Sequence, residues 1–127
     1  MTALKVTGWI NVTRYDPKPY SEGDGVTLAC VDVIEDFTGG LTGSGAARFL
    51  MAQLADGSAH FTGIERFTGT LSGRHGSFLL RNMGVLKDGV VTSDWEILPG
   101  SATGGLAGLR GTGGTDPSGY FLDFSFD

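Results

Sequence analysis

The stretch His60–Pro99, HFTGIERFTGTLSGRHGSFLLRNMGVLKDGVVTSDWEILP, decides the fold. It reads as three antiparallel strands joined by two tight turns. Successive side chains on a strand point to opposite faces, so Phe61, Gly63, Glu65, Phe67, Gly69 and Leu71 share one face. His60, Thr62, Ile64, Arg66, Thr68 and Thr70 take the other. The first face is the apolar one, and Glu65 is its only charge. A carboxylate on a buried face needs either a partner or a purpose. Arg66 points the wrong way to be that partner.

Turn chemistry sets the neighbours of Glu65. A turn centred on Gly73-Arg74 with an even number of residues places Gly69 opposite Phe78, Phe67 opposite Leu80, Glu65 opposite Asn82 and Gly63 opposite Gly84. Asp88-Gly89 is a two-residue hairpin signal. It pairs Asn82 with Trp95, Leu80 with Ile97 and Gly84 with Ser93. The expected lateral row is therefore Glu65, Asn82, Trp95. On the other side, a three-residue turn ending at Gly57 sets Phe49 against Gly63 and Met51 against Phe61. A two-residue turn would instead bring Arg48 beside Glu65. The first register joins two apolar faces; the second supplies an ion pair.

Outward from this core, Leu4–Tyr15 (LKVTGWINVTRY) alternates as a first strand. Pro17 and Pro19 cannot sit in a sheet interior, so the strand is expected to break there. A polar loop is expected to follow through Ser21–Gly25. Val26–Phe37 is a second strand of open parity: Val31 and Val33 argue for one inward face, Leu28, Cys30 and Ile34 for the other. Gly39-Gly40 marks a turn. Gly45–Leu54 is read as a third strand, although its residues also suit a short helix. Gly100–Gly114 is a glycine-rich connector in which Leu106 and Leu109 fit one helical turn or a folded loop plugging an end. Gly119–Asp127 closes the chain as a half-buried strand.

Seven or eight strands joined mostly by hairpins predict an all-β fold, a small antiparallel β-barrel of about eight strands. At 127 residues the whole chain, 1–127, is one domain. A net charge of −5 without a basic block argues against nucleic acid and anionic membrane surfaces. One cysteine, Cys30, allows no internal disulfide. Met1–Trp9 lacks the apolar centre of a signal peptide, and no apolar run approaches the ~20 residues of a membrane helix. The expectation is a cytoplasmic protein that binds no membrane.

The strings GIERFTGTLSGRHGSF, DWEILPGSATGGLAGLRGTGG and YFLDFSFD carry a family resemblance that covers nearly the whole chain. With Glu65-Arg66, Gly69-Thr70-Leu71, Trp95, Pro99-Gly100-Ser101, Gly108-Leu109-Arg110-Gly111 and Asp123, the chain resembles a bacterial family of small domains of unknown function near the allene oxide cyclase barrels. That resemblance implies a compact antiparallel barrel with a central cavity, commonly a homo-oligomer. It implies little about activity. The catalytic glutamate of the plant cyclases lies in a different strand and is not carried over to Glu65.

Glu65 is the candidate catalytic residue, since an apolar setting raises a carboxyl's pKa toward the range of a general acid or base. A structural carboxyl satisfied by Asn82, Trp95 or an arginine stands beside that reading. Asn82 and Trp95 could orient a ligand through amide and indole N–H groups. Phe49, Met51, Phe61, Phe67 and Phe78 could line its pocket or simply form core, and Tyr20 could be a lid or a surface aromatic. Cys30, His60 and His75 have no metal or nucleophile spacing, and no phosphate loop or dinucleotide fingerprint exists. No cofactor and no metal are expected. The partner expected is a hydrophobic small molecule, met either by a cofactor-free cyclase or isomerase or by a lipocalin-like binding protein. A barrel filled by its own side chains is the third possibility.

Overall fold

Tight turns whose central residues are left-handed fix most of the architecture. Asp24-Gly25, Ser72-Gly73 and Asp88-Gly89 all have both residues at φ between 51° and 78°. That is the type I′ signature, whose twist matches the flanking strands. The computed structural model describes residues 4–127. Its strands are β1 (Leu4–Gly23), β2 (Val26–Gly39), β3 (Leu41–Gln53), β4 (Ala59–Leu71), β5 (Arg74–Lys87), β6 (Val90–Ile97), β7 (Thr103–Gly104), β8 (Leu109–Asp116) and β9 (Gly119–Phe126).

All neighbours are antiparallel. Pairing runs β4-β3-β2-β1-β9-β8-β6-β5, and β4 pairs with β5 to close the ring. Eight strands thus make the barrel-like wall expected from the sequence, and the two-residue β7 adds to β5 beside it. Gly45–Leu54 lies within β3 and the following turn, not in a helix. Among the described residues, no helix is long and apolar enough to cross a membrane.

Two expectations need correction. The first concerns β1, which does not break at the prolines but continues to Gly23, paired with β2 from Gly8 onward. It pairs with β9 only over Leu4–Gly8. Beyond that point its second edge is unpaired, and a missing N–H costs nothing on such an edge. Pro17 and Pro19 are two residues apart, so both turn their nitrogens to the same side. The polar Ser21–Gly25 stretch is the end of this hairpin, not a long loop.

The second concerns the β4–β5 register. The turn is centred on Ser72-Gly73, so Leu71 faces Arg74, Phe67 faces Phe78, Glu65 faces Leu80 and Gly63 faces Asn82. The slip is two residues, which keeps every side chain on its expected face. The other registers stand as read. Asn82 pairs with Trp95 and Leu80 with Ile97. Phe49 pairs with Gly63 and Met51 with Phe61, with Leu54 and Ser58 closing the three-residue turn.

One end of the barrel is filled. Phe37, Leu41, Phe67, Leu71, Phe78, Leu80 and Ile97 pack there with Tyr120, Leu122 and Phe124. Phe67 and Phe78 stack with centroids 5.0 Å apart. The glycine-rich connector is a folded loop, and it buries both Leu106 and Leu109 in this core. Arg110 then ties its far side to Asp127 at 2.8 Å. Toward the other end a smaller cluster, Ala29, Val31, Val33, Ala47 and Phe49, lines one wall only.

Candidate functional site

Between these two clusters the barrel interior turns polar. The parity left open in β2 resolves with Ala29, Val31, Val33, Glu35 and Phe37 inward. Glu35 therefore enters the interior from β2, Glu65 from β4 and Asn82 from β5. Each is buried, at 8%, 0% and 6% exposure. Trp95 of β6 stands beside Asn82.

Glu65 sits between Ala47 and Leu80 on the neighbouring strands. A Cβ built on Gly45 would collide with Glu65 Oε2, so the glycine leaves the space that the carboxyl fills. Gly45 is itself paired with Glu35. The two carboxyls are thus brought together across a bare backbone position. Arg48 takes no part: it donates Nε to Asp32 Oδ1 at 2.7 Å on the outer surface.

Among the described residues, no basic side chain pairs with Glu65 and neither of its oxygens makes a well-formed hydrogen bond. Burial pushes its pKa up to about 10, reinforced by Glu35, and the amide of Asn82 only partly offsets this. Burial and the neighbouring carboxyl thus favour the protonated, neutral form of Glu65. Asn82 Oδ1 and Trp95 Nε1 likewise lack partners. Such orphaned groups are rare in a folded interior.

This polar layer forms the floor of a cavity of about 440 Å³. Its lining includes Glu35, Phe49, Phe61, Asn82, Trp95 and Tyr120. The rim is Trp9, Ile10 and Val12 of β1, the Gly89–Val91 end of the β5–β6 hairpin, and Asp116-Pro117 between β8 and β9. The mouth therefore lies where β1 has left β9. Tyr120 lends only its ring, which stacks on Trp95 at 5.7 Å. Its hydroxyl is held in the wall, donating to Thr38 O at 2.7 Å and accepting from Leu41 N at 2.8 Å.

Of the candidate residues, Asn82, Trp95, Phe49 and Phe61 line this cavity. Glu65 lies behind the lining, next to Glu35. Phe67 and Phe78 lie in the filled end, wholly buried. Met51 and Tyr20 border a second hollow that also reaches Phe61, and Tyr20 is 60% exposed. Sequence reasoning missed Glu35, Trp9 and Tyr120. The signal for Glu35 was the one that singled out Glu65: a lone carboxylate alternating with Val31, Val33 and Phe37. Among the described residues, no three His, Cys, Asp or Glu side chains gather as a metal centre requires.

Comparison with known proteins agrees with this architecture. No curated protein matches the chain. A solved structure from Shewanella oneidensis MR-1, described as a protein with unknown function from the DUF3224 family, is 35% identical. The match covers 99% of this chain and 97% of that one, with a TM-score of 0.80. Residues 6–126 match the family described as "Protein of unknown function (DUF3224)". Nearly the whole barrel, from β1 to the end of β9, is thus accounted for by one family, and the chain belongs to DUF3224.

Proposed function

We propose that this barrel binds a small apolar molecule in its open end. The observation that carries the reading is a cavity of about 440 Å³ walled by aromatic rings and floored by the polar side chains of Glu35 and Asn82. Its size lies in the range of small-molecule sites, and a few convergent polar groups in an apolar wall are what such sites share. The half-filled interior speaks against a barrel that serves only as a scaffold. The test is native mass spectrometry of protein purified from its own cells, beside a Val12→Trp variant that obstructs the rim. An adduct on the wild type that the variant loses supports the reading. A wild type that carries no adduct and takes up no apolar probe overturns it.

A second reading, a cofactor-free isomerase or cyclase, is favoured by the carboxyl pair. Glu65 favours its protonated form and Glu35 borders the cavity, so one group can take a proton from a ligand carbon and the pair can return one elsewhere. The product then has the atoms of the substrate, and no cofactor enters. Glu35→Gln and Glu65→Gln variants that bind the ligand normally and stop its conversion support this reading; variants that leave conversion intact remove it.

A further inference from the structure

We propose that the cavity selects a protonated amine carried on a compact apolar body, over neutral or anionic molecules of the same shape. This rests on the cavity being a binding site. The acidic side chains in its lining are Glu35 and Asp116, and among the described residues no lysine, arginine or histidine borders it. An anion placed there meets only like charge. A cation meets Glu35 on the floor and five aromatic rings around it: Trp9, Phe49, Phe61, Trp95 and Tyr120. Aromatic faces attract cations, most strongly where water is excluded.

Hydrogen-bond chemistry agrees. The Glu35 carboxyl lines the floor and offers acceptor oxygens. An ammonium group supplies up to three donors and no acceptor, which is its complement.

Three probes of one shape test this: 1-adamantanemethylamine, 1-adamantanemethanol and 1-adamantanecarboxylic acid. They are transparent where tryptophan emits, and the chain's two tryptophans, Trp9 and Trp95, both border the cavity. Titration at pH 7 followed by tryptophan fluorescence should rank the amine about tenfold or more tighter than the alcohol, with the acid weakest. Glu35→Gln should weaken the amine to about the level of the alcohol. Equal binding of amine and alcohol to the wild type overturns the inference and leaves the binding reading standing. Binding of none of the three overturns both. The wild-type ranking decides whether or not the variant folds.

Discussion

The carboxyl of Glu65 occupies the space that a side chain on Gly45 would need. This one relationship explains why a glycine interrupts β3 at that point, and it couples the two residues energetically. Glu65 is completely buried and has nowhere to swing. Gly45→Ala should therefore destabilise the barrel by about 1–3 kcal/mol, the usual cost of overpacking. In a Gly45→Ala/Glu65→Ala double variant the clash with the carboxyl disappears, and only the Phe37 ring, 2.9 Å from the added Cβ, still has to give. Urea denaturation should give a double-variant loss smaller than the sum of the two single losses.

Glu65 also gives stability an unusual dependence on pH. Its folded-state pKa is raised from 4.5 to about 10, so between those values the folded chain holds a proton that the unfolded chain has lost. Stability is then greatest below the unfolded value and falls as pH rises through the window, by up to ~1.4 kcal/mol per pH unit. Asp32, Asp56 and Asp116 act oppositely. Hydrogen bonds from Arg48 and from Ser58 and Ser118 hold them below 3.8, so their contribution is lost only in stronger acid. Thermal melts from pH 6 to 9 should show wild type weakening, while Glu65→Gln stays nearly flat and becomes the more stable protein at pH 9.

Tyr120 pins the β2–β3 turn to β9. Tyr120→Phe keeps the ring against Trp95 but removes the acceptor of Leu41 N and the donor to Thr38 O. Leu41 N is buried, so its loss of a partner should cost about 1–3 kcal/mol. Amide exchange at Leu41 should accelerate while the cavity keeps its ligand affinity.

Ser72 holds a left-handed conformation that suits asparagine or glycine better. Ser72→Asn should raise stability by about 0.5–1 kcal/mol without altering the register of β4 on β5. Chemical denaturation checks the first point, and cross-strand NOEs between Glu65 and Leu80 check the second.

That same serine shows where the sequence was legible. Asp88-Gly89 announces its turn, and the Asn82–Trp95 pairing followed from it directly. Ser72-Gly73 announces itself less clearly, because serine is not the residue a left-handed position favours. The turn was therefore placed one residue too late, and Glu65 was set beside Asn82 instead of Leu80. Parity survived the slip, so the carboxylate was rightly placed indoors. Its companion was not seen, because β2 carries apolar residues on both faces and only the closed ring shows which one is inside. Pro17 and Pro19 were misleading for a related reason. They forbid a central strand, but whether β1 has a free edge depends on where β9 leaves it, a contact between the two ends of the chain.

The short β1–β9 seam has a consequence for the order of assembly. Most neighbours in the wall are joined by hairpins and can form locally, whereas the five pairs from Leu4–Phe124 to Gly8–Tyr120 join residues more than a hundred positions apart. Closing such a distant contact carries the largest entropic cost, so the seam shuts late in folding and opens early in unfolding. The mouth lies beside this seam, with Trp9 and Ile10 on one bank and Gly119 and Tyr120 on the other. A molecule seated there would clasp β1 and β9 together. Occupancy would be written in the opening rate of the ring: slower exchange of the β1 and β9 amides, with the hairpins far from the seam left unchanged.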